Sequence, residues 1–325
     1  MKMLVTGGAG FIGSHLVDAL VARGHEVLVV DDLSTGRMDQ VNALARFYRL
    51  DITSQLMDEF FQKEKPQMVF HLAAQINARK SVERPDFDAW VNAWGSVRLV
   101  QLALEHNASK FIFASTGGAI YADDAELPAT EDAPCKPISP YAITKYFVDQ
   151  YLAMYGMYHG MDWISLRYAN VYGPRQNALG EAGVIAVFSQ ALAANQQPVI
   201  FGDGKQTRDF VYVDDVVSAN LAALDLDTSA FDHSERVMNI GTGREASVKQ
   251  VFDMVAALAL QAGSAQGGSA QGGKQIEPVY GDAKPGDKLR SAIDAARAGR
   301  LLGWQPAFTL EQGIAKTYEW FAKQG

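Results

Sequence analysis

Thr6-Gly7-Gly8-Ala9-Gly10-Phe11-Ile12-Gly13 is the stretch that decides the fold. It follows directly on a β-rich run, Met3–Thr6, and opens a helical pattern in which Phe11, Ile12, Leu16, Ala19 and Leu20 share one face. Strand, glycine turn and helix in that order make a nucleotide-binding turn. Gly7 permits the tight bend, Gly10 lets the backbone approach a diphosphate, and Gly13 lets helix and strand pack closely. The diphosphate then rests on the helix N-terminus, where free N–H groups and the helix dipole favour negative charge.

Glycine turns of this kind also occur without a ligand, so the next strand matters. The run Glu26–Val30 leads into Asp31, 18 residues past Gly13, where an acid can accept hydrogen bonds from the adenosine ribose hydroxyls. Asp31 followed by Asp32 would repel a 2′-phosphate, which favours NAD over NADP. Arg37 is the one contrary hint.

Further along, Phe47–Leu50, Met68–Leu72, Lys110–Ala114 and Trp163–Tyr168 continue the strand candidates, each separated by longer helical patterns. Such alternation predicts a doubly wound parallel α/β sheet of the Rossmann type. Leu28-Val29-Val30 and Phe111-Ile112-Phe113 are apolar on consecutive positions, as strands covered on both faces should be. After Tyr168 the rhythm breaks into Gly- and Pro-rich sequence, then helices with isolated strand-like pieces such as Val237–Ile240. This part reads as a smaller mixed α/β lobe that supplies the substrate side of a cleft. The expected division is residues 1–171 with about 206–241 for the cofactor, and about 172–205 with 242–325 for the substrate. A tandem at 263–273, Gly-Ser-Ala-Gln-Gly repeated with an extra Gly, lies between a helix at about Ser247–Leu260 and a strand at about Gln275–Tyr280; it reads as a mobile surface loop.

Composition narrows the function classes. The 325 residues are 48% apolar with a net charge of −8, enough for a buried core and without the basic surface that nucleic acid or anionic membranes require. One cysteine, Cys135, gives neither an intrachain disulfide nor a metal ligand set, so no metal is expected. The early first strand leaves no room for a signal peptide, and no apolar run approaches a membrane span, so the expected location is the cytoplasm.

Tyr-x-x-x-Lys occurs twice, at Tyr141/Lys145 and Tyr280/Lys284. Tyr141 follows Ser139-Pro140 and opens a long helical pattern that puts it one turn from Lys145 on one face. Tyr280 lies among Pro278, Gly281, Pro285 and Gly286, where no helix can hold the spacing. A phenol is a poor base at neutral pH, and a neighbouring ammonium together with a positively charged nicotinamide would lower its pKa. Tyr141 can then take a proton from a sugar hydroxyl while hydride leaves the same carbon. Ser115-Thr116-Gly117-Gly118 ends the fifth strand at the sheet edge where ligands of such folds bind. A hydroxyl there either shares the substrate's hydrogen bond or merely caps a turn.

With these stretches, and with His-Leu-Ala-Ala-Gln (71–75), Leu-Arg-Tyr-Ala-Asn-Val-Tyr-Gly-Pro-Arg (166–175), Arg-Asp-Phe-Val-Tyr-Val-Asp-Asp (208–215), Asn-Ile-Gly-Thr-Gly (239–243) and Lys-Pro-Gly-Asp (284–287), the chain resembles the extended short-chain dehydrogenase/reductase family over nearly its whole length. Within it the likeness is greatest to the UDP-glucose 4-epimerases. That resemblance implies that Asp32, Thr35, Gly36, Asp51, Ile52, Leu72, Ala73, Ala74, Asn92 and Tyr168 help hold NAD. It implies that Asn170, Arg208, Lys284 and Asp287 serve the UDP-sugar, with Lys284 standing where the family more often has an arginine.

Many family members place the catalytic hydroxyl four residues before the tyrosine aligned with Tyr121, and here that position is Gly117. Thr116 is therefore the candidate, with Ser115 as its substitute. Dehydratases of the family follow that hydroxyl with an acidic pair, which Gly117-Gly118 lacks. For Asp214 and Asp215, helix N-capping is the expected role. The reaction implied is interconversion of UDP-glucose and UDP-galactose through a 4-keto sugar, with NAD tightly held. Ser291, where a bulky aromatic would exclude N-acetylhexosamines, implies activity on UDP-N-acetylglucosamine too. Another UDP-sugar epimerase, acting on UDP-glucuronate or UDP-N-acetylglucosamine, a UDP-glucuronate-processing relative and an NAD-sensing regulator without catalysis are the rival readings; the last would have no reason to keep both Tyr141 and Lys145. Helices near Asp86–Asn107 and Tyr141–Tyr158 resemble those that pair as a four-helix bundle in family homodimers.

Overall fold

The computed structural model describes residues 1–178, 183–265, 276–283 and 288–324. Seven strands form one sheet: β1 (Lys2–Thr6), β2 (Glu26–Asp31), β3 (Arg46–Arg49), β4 (Met68–His71), β5 (Lys110–Thr116), β6 (Trp163–Tyr168) and β10 (Val237–Ile240). Their order is β10-β6-β5-β4-β1-β2-β3, and every pairing is parallel. The chain thus turns away from β1 in both directions, and β1 and β4 flank the switch point where ligands of open α/β sheets bind.

Two apolar layers cover this sheet, as the consecutive apolar strand residues require. On one side α1 (Phe11–Ala22) and α9 (Val213–Asp225) bury Leu16, Val17, Leu20, Val216 and Ala219 against Met3, Val5 and Ile112. On the other, α2 (Leu56–Glu64), α5 (Ser96–Glu105) and α7 (Pro140–His159) bury Phe60, Phe61, Leu99, Val148 and Leu152 against Leu4, Val69 and Phe113. Two short helices, α3 (Ala78–Glu83) and α4 (Pro85–Asp88), and a π-helical turn, Ala89–Gly95, lead into α5. A four-residue helix, α6 (Gly117–Ile120), follows β5.

The smaller lobe has its own core. Strands β7 (Asn170–Tyr172), β9 (Thr207–Tyr212) and β11 (Glu245–Ser247) form a three-stranded sheet, and β8 (Val199–Phe201) pairs with β12 (Val279–Gly281). Helices α8 (Val184–Ala193), α10 (Val248–Ala265) and α12 (Leu310–Ala322) pack Phe188, Phe252 and Ile314 over Tyr172 and Phe210. The remaining helix, α11 (Ala296–Leu302), joins α9 on the large core through Ala298.

Three expectations change here. Val237–Ile240 is no isolated piece but the seventh strand of the main sheet, paired with β6. Thr207–Tyr212, expected with the cofactor lobe, pairs with β7 and β11, whereas α9 after it packs on the large sheet. Residues 263–265 of the tandem belong to α10, and 266–273 lie outside the described residues.

Candidate active site

A cavity of about 480 Å³ opens at the C-terminal ends of β1, β2, β4 and β5. The glycine turn forms its floor. Gly7 has φ +71°, and a Cβ there would stand 2.7 Å from the amide nitrogen of Ala73. A Cβ on Gly13 would stand 2.1 Å from the carbonyl oxygen of Gly7, so only glycine lets the turn close against the helix start. Gly10 caps α1 with extended backbone and no side chain in the way. This is the cradle a diphosphate needs, and the residues present fit a dinucleotide.

Most residues expected at the cofactor line this cavity: Gly7, Gly10, Phe11, Ile12, Gly13, Asp31, Asp32, Thr35, Asp51, Ile52, Leu72, Ala73, Ala74, Tyr141, Lys145 and Tyr168. Asp31 accepts from the Ala9 amide at 3.0 Å and the Leu33 amide at 2.9 Å, which ties the end of β2 to the glycine turn. Burial raises its pKa, those two amides oppose the rise, and Asp32 adds to it. Arg37, the contrary hint for NADP, bonds Asp39 through Nε at 3.0 Å in an exposed pair.

Two expected cofactor residues stand behind the wall rather than on it. Gly36 packs against Asp31, where a Cβ would approach Oδ1 to 2.8 Å. Asn92 is buried in the π-helical turn; its Oδ1 accepts from the Gln75 amide at 2.8 Å and its Nδ2 donates to the Gln75 carbonyl at 2.9 Å. It therefore shapes the wall at Gln75, which does line the cavity together with Asn77, Lys80 and Phe87. Only the pattern at 71–75 signalled that segment in the sequence.

Tyr141 and Lys145 come together as expected. Ser139 caps α7 by accepting from the Ala142 amide at 3.2 Å, and Pro140 occupies the first turn. Both side chains reach the cavity wall one turn apart. Lys145 Nζ donates to the Ala114 carbonyl at 2.8 Å and lies 4.7 Å from the centre of the Phe113 ring. One turn on, Asp149 is paired with Arg167 of β6, Nε to Oδ2 2.9 Å, both buried.

The electrostatics divide the work between the chain and its cofactor. In the chain alone Tyr141 is not made acidic: burial, with the charge of Asp88 behind it, pushes its pKa up to about 12. Burial likewise brings Lys145 down to about 8, against the opposing pull of Asp149 and Asp88. Desolvation is the largest effect on each group, so the positive charge that would favour a phenolate has to come with a bound ligand. His71 is held neutral, with its pKa down to about 3 through burial and Lys145. Its two nitrogens bond Thr6 Oγ1 and Ser96 Oγ, each at 2.8 Å.

The two candidate hydroxyls part company at the end of β5, where successive side chains point to opposite faces. Ser115 lines the cavity, and its Oγ is buried without a hydrogen-bond partner. Thr116, half-buried, is absent from that wall and stands at the N-terminus of α6, which its hydroxyl does not cap.

The expected substrate residues sit apart, on the smaller lobe. Asn170 begins β7 and is exposed; Arg208 lies in β9 and donates to the Thr207 carbonyl at 2.8 Å. Ser291 is buried beside them, its carbonyl accepting from the Asp209 amide at 2.8 Å. Lys284 and Asp287 lie outside the described residues. Asp215 does not cap a helix: it accepts from the amides of Ala307 at 2.7 Å and Phe308 at 3.3 Å, pinning the chain before α12. Asp214, in the same first turn of α9, is likewise not its N-cap, which is Tyr212.

Residues 3–241 match the model of the NAD dependent epimerase/dehydratase family. A UDP-glucose 4-epimerase of Mycolicibacterium smegmatis is 42% identical over 99% of this chain and 98% of its own length. The crystal structure of a Thermotoga maritima UDP-glucose 4-epimerase with UDP-glucose superposes with a TM-score of 0.92 at 43% identity, covering 100% of this chain and 99% of that one. A Thermus thermophilus UDP-glucose 4-epimerase in complex with NAD gives a TM-score of 0.87 at 37% identity, with 99% of each chain covered. Likeness of that extent in sequence and backbone leaves one assignment: the chain belongs to the NAD dependent epimerase/dehydratase family.

Proposed function

We propose that this chain is a UDP-glucose 4-epimerase, interconverting UDP-glucose and UDP-galactose through a bound 4-keto sugar. The observation that carries the reading is the pair Tyr141 and Lys145, one helical turn apart on the wall of the glycine-turn cavity. The full-length likeness to enzymes of that name supports the substrate.

Gly7, Gly10 and Gly13 with the N-terminus of α1 would take the NAD diphosphate, Asp31 the adenosine ribose, and Lys145 the nicotinamide ribose. NAD when bound supplies the acceptor and donor of hydride and a positive charge beside the phenol. Tyr141 then removes the C4 hydroxyl proton as C4 is oxidised and returns it when C4 is reduced on the opposite face. Thr116 or Ser115 shares the hydrogen bond to that oxygen; Thr116 is the candidate by family resemblance, and the place of Ser115 in the cavity lining supports the alternative. Thr116→Ala and Ser115→Ala separate them, because only the residue touching the reacting oxygen lowers kcat by about a hundredfold.

Asn170, Arg208 and Lys284 would anchor the UDP diphosphate while the ketone turns over. Ser291, standing where the resemblance puts a bulky aromatic that excludes a C2 acetamido group, extends the reading to UDP-N-acetylglucosamine. Dimerisation through α7 and the π-helical turn is supported by exposed apolar side chains there. Trp90 and Trp94 stack with ring centres 4.2 Å apart, and Ile143, Phe147 and Tyr158 are exposed on α7. The unpaired thiol of Cys135 suits a cytoplasmic enzyme. Incubating the protein in parallel with UDP-glucose, UDP-glucuronate and UDP-N-acetylglucosamine tests the substrate: turnover of UDP-glucuronate alone would replace this reading with that of a UDP-glucuronate epimerase.

A further inference from the structure

Beneath the pair on α7 lies a carboxylate to which the reaction as described gives no part. Asp88, the last residue of α4, is 0% exposed. Its Oδ1 accepts from Gln75 Nε2 at 2.9 Å and from Asn92 Nδ2 at 3.0 Å, and its Oδ2 accepts from Thr144 Oγ1 at 2.9 Å. All three donors are neutral. A buried carboxylate satisfied only by neutral donors keeps most of its field, which the low-dielectric surroundings do little to screen.

The three donors come from three segments. Gln75 belongs to the cavity wall after β4, Asn92 to the π-helical turn, and Thr144 to α7, where it sits between Tyr141 and Lys145 and also bonds the Tyr141 carbonyl at 3.0 Å. One carboxylate therefore fastens the helix carrying the reacting pair to the wall against which the cofactor would lie. Resting on the epimerase reading above, we infer that Asp88 is a positioning residue for that reaction: it docks α7 at Thr144 and holds a negative charge against the helical turn that carries Tyr141 and Lys145.

The other charged groups around the pair are otherwise engaged. Asp149 on α7 is paired with Arg167 of β6, and His71 of β4 is neutral. Lys80 of α3 lies over the Phe87 ring, 4.7 Å from its centre, and Asp31 and Asp32 line the cavity with the pair. Asp88 is the carboxylate whose charge bears on both Tyr141 and Lys145, and it favours the protonated form of each. Such a group keeps the phenol a proton donor until an approaching positive charge reverses the balance.

Asp88→Asn removes the charge and keeps the bonds. The amide oxygen still accepts from Gln75 and Asn92, its NH₂ donates to Thr144 Oγ1, and the threonine proton turns to the Tyr141 carbonyl. Two readouts test the inference. In epimerisation of UDP-glucose, the acid limb of the kcat–pH profile moves down by about one pH unit while KM stays near the wild-type value. In the NAD-loaded protein without sugar, tyrosinate ultraviolet absorbance, taken as the difference from Tyr141→Phe, titrates lower by a similar amount. Should Asp88→Asn not fold, Asp88→Ser carries the same expectation.

Unchanged midpoints in both readouts, with activity lowered equally at every pH, would overturn the inference and leave Asp88 a purely structural residue. Wild-type protein inactive on UDP-glucose would refute the epimerase reading instead, and the tyrosinate titration would still decide the role of Asp88.

Discussion

Lys145 Nζ donates to the carbonyl oxygen of Ala114 at 2.8 Å, so the helix that bears Tyr141 is tied by its ammonium group to the strand that ends in Ser115 and Thr116. Burial brings the pKa of that lysine down to about 8, against the opposing pull of Asp149 and Asp88. This hydrogen bond to the backbone fixes where the ammonium group of the reacting pair stands.

Lys145→Met breaks that tie. Epimerisation should fall by about 10²- to 10⁴-fold, the range for losing a positioned acid–base group. Tyr141→Phe should fall similarly yet still be purified with NAD, since the cradle is untouched. Assay of UDP-galactose formation beside the NAD content of each variant checks both.

Gly13→Ala places a methyl 2.1 Å from the Gly7 carbonyl oxygen. Neither atom can yield without opening the turn, so overpacking costs about 1–3 kcal/mol and the variant should be isolated with little cofactor. Thermal unfolding and release of NAD on denaturation measure the two effects.

Ser291→Tyr puts a bulky ring at a buried position whose backbone bonds Asp209 on the smaller lobe. Turnover of UDP-N-acetylglucosamine should disappear while UDP-glucose still reacts; equal loss of both would show that Ser291 does not read the C2 substituent.

His71 gives a stability prediction. Its pKa is near 6.5 unfolded and about 3 folded, so below pH 6.5 the unfolded chain binds a proton that the folded one does not. Stability from this group is complete above pH 6.5 and lost as pH falls towards 3, at roughly 1.4 kcal/mol per unit. Urea unfolding between pH 6.5 and 4.5 should show that slope in excess of His71→Gln.

Trp90→Glu with Trp94→Glu puts two charges on the exposed stacked pair. Light scattering should find the wild type a dimer and the variant a monomer with its far-ultraviolet circular dichroism intact. A monomeric wild type would sink the dimer proposal.

Much of the molecule was legible in the sequence because its signals are local. The glycine turn, Asp31 at the end of β2, and Tyr141 and Lys145 after Ser139-Pro140 each declare themselves within a few residues, and all of them line one cavity. What was not legible depends on partners distant in the chain. Val237–Ile240 reads as a strand-like piece within 206–241, but only its pairing with β6 makes it part of the main sheet. Asp215 has the composition of a cap, yet its acceptors are used by amides 92 and 93 residues away. The Tyr141 shift comes from burial first and then from Asp88, whose approach to Thr144 spans 56 residues and a π-helical turn. Local pattern favoured Thr116, and of the two candidate hydroxyl residues Ser115 is the one that lines the cavity.

The most direct test is the fate of the hydrogen at C4. Purified protein, with no cofactor added, is given UDP-glucose deuterated at C4, and the anomeric and C4 signals are followed by NMR. The account predicts UDP-galactose that retains deuterium at C4, because the hydride removed is returned to the same carbon by NAD that never leaves the protein. UDP-galactose that has lost its deuterium to solvent, or no turnover until NAD is supplied in proportion to product, would contradict it.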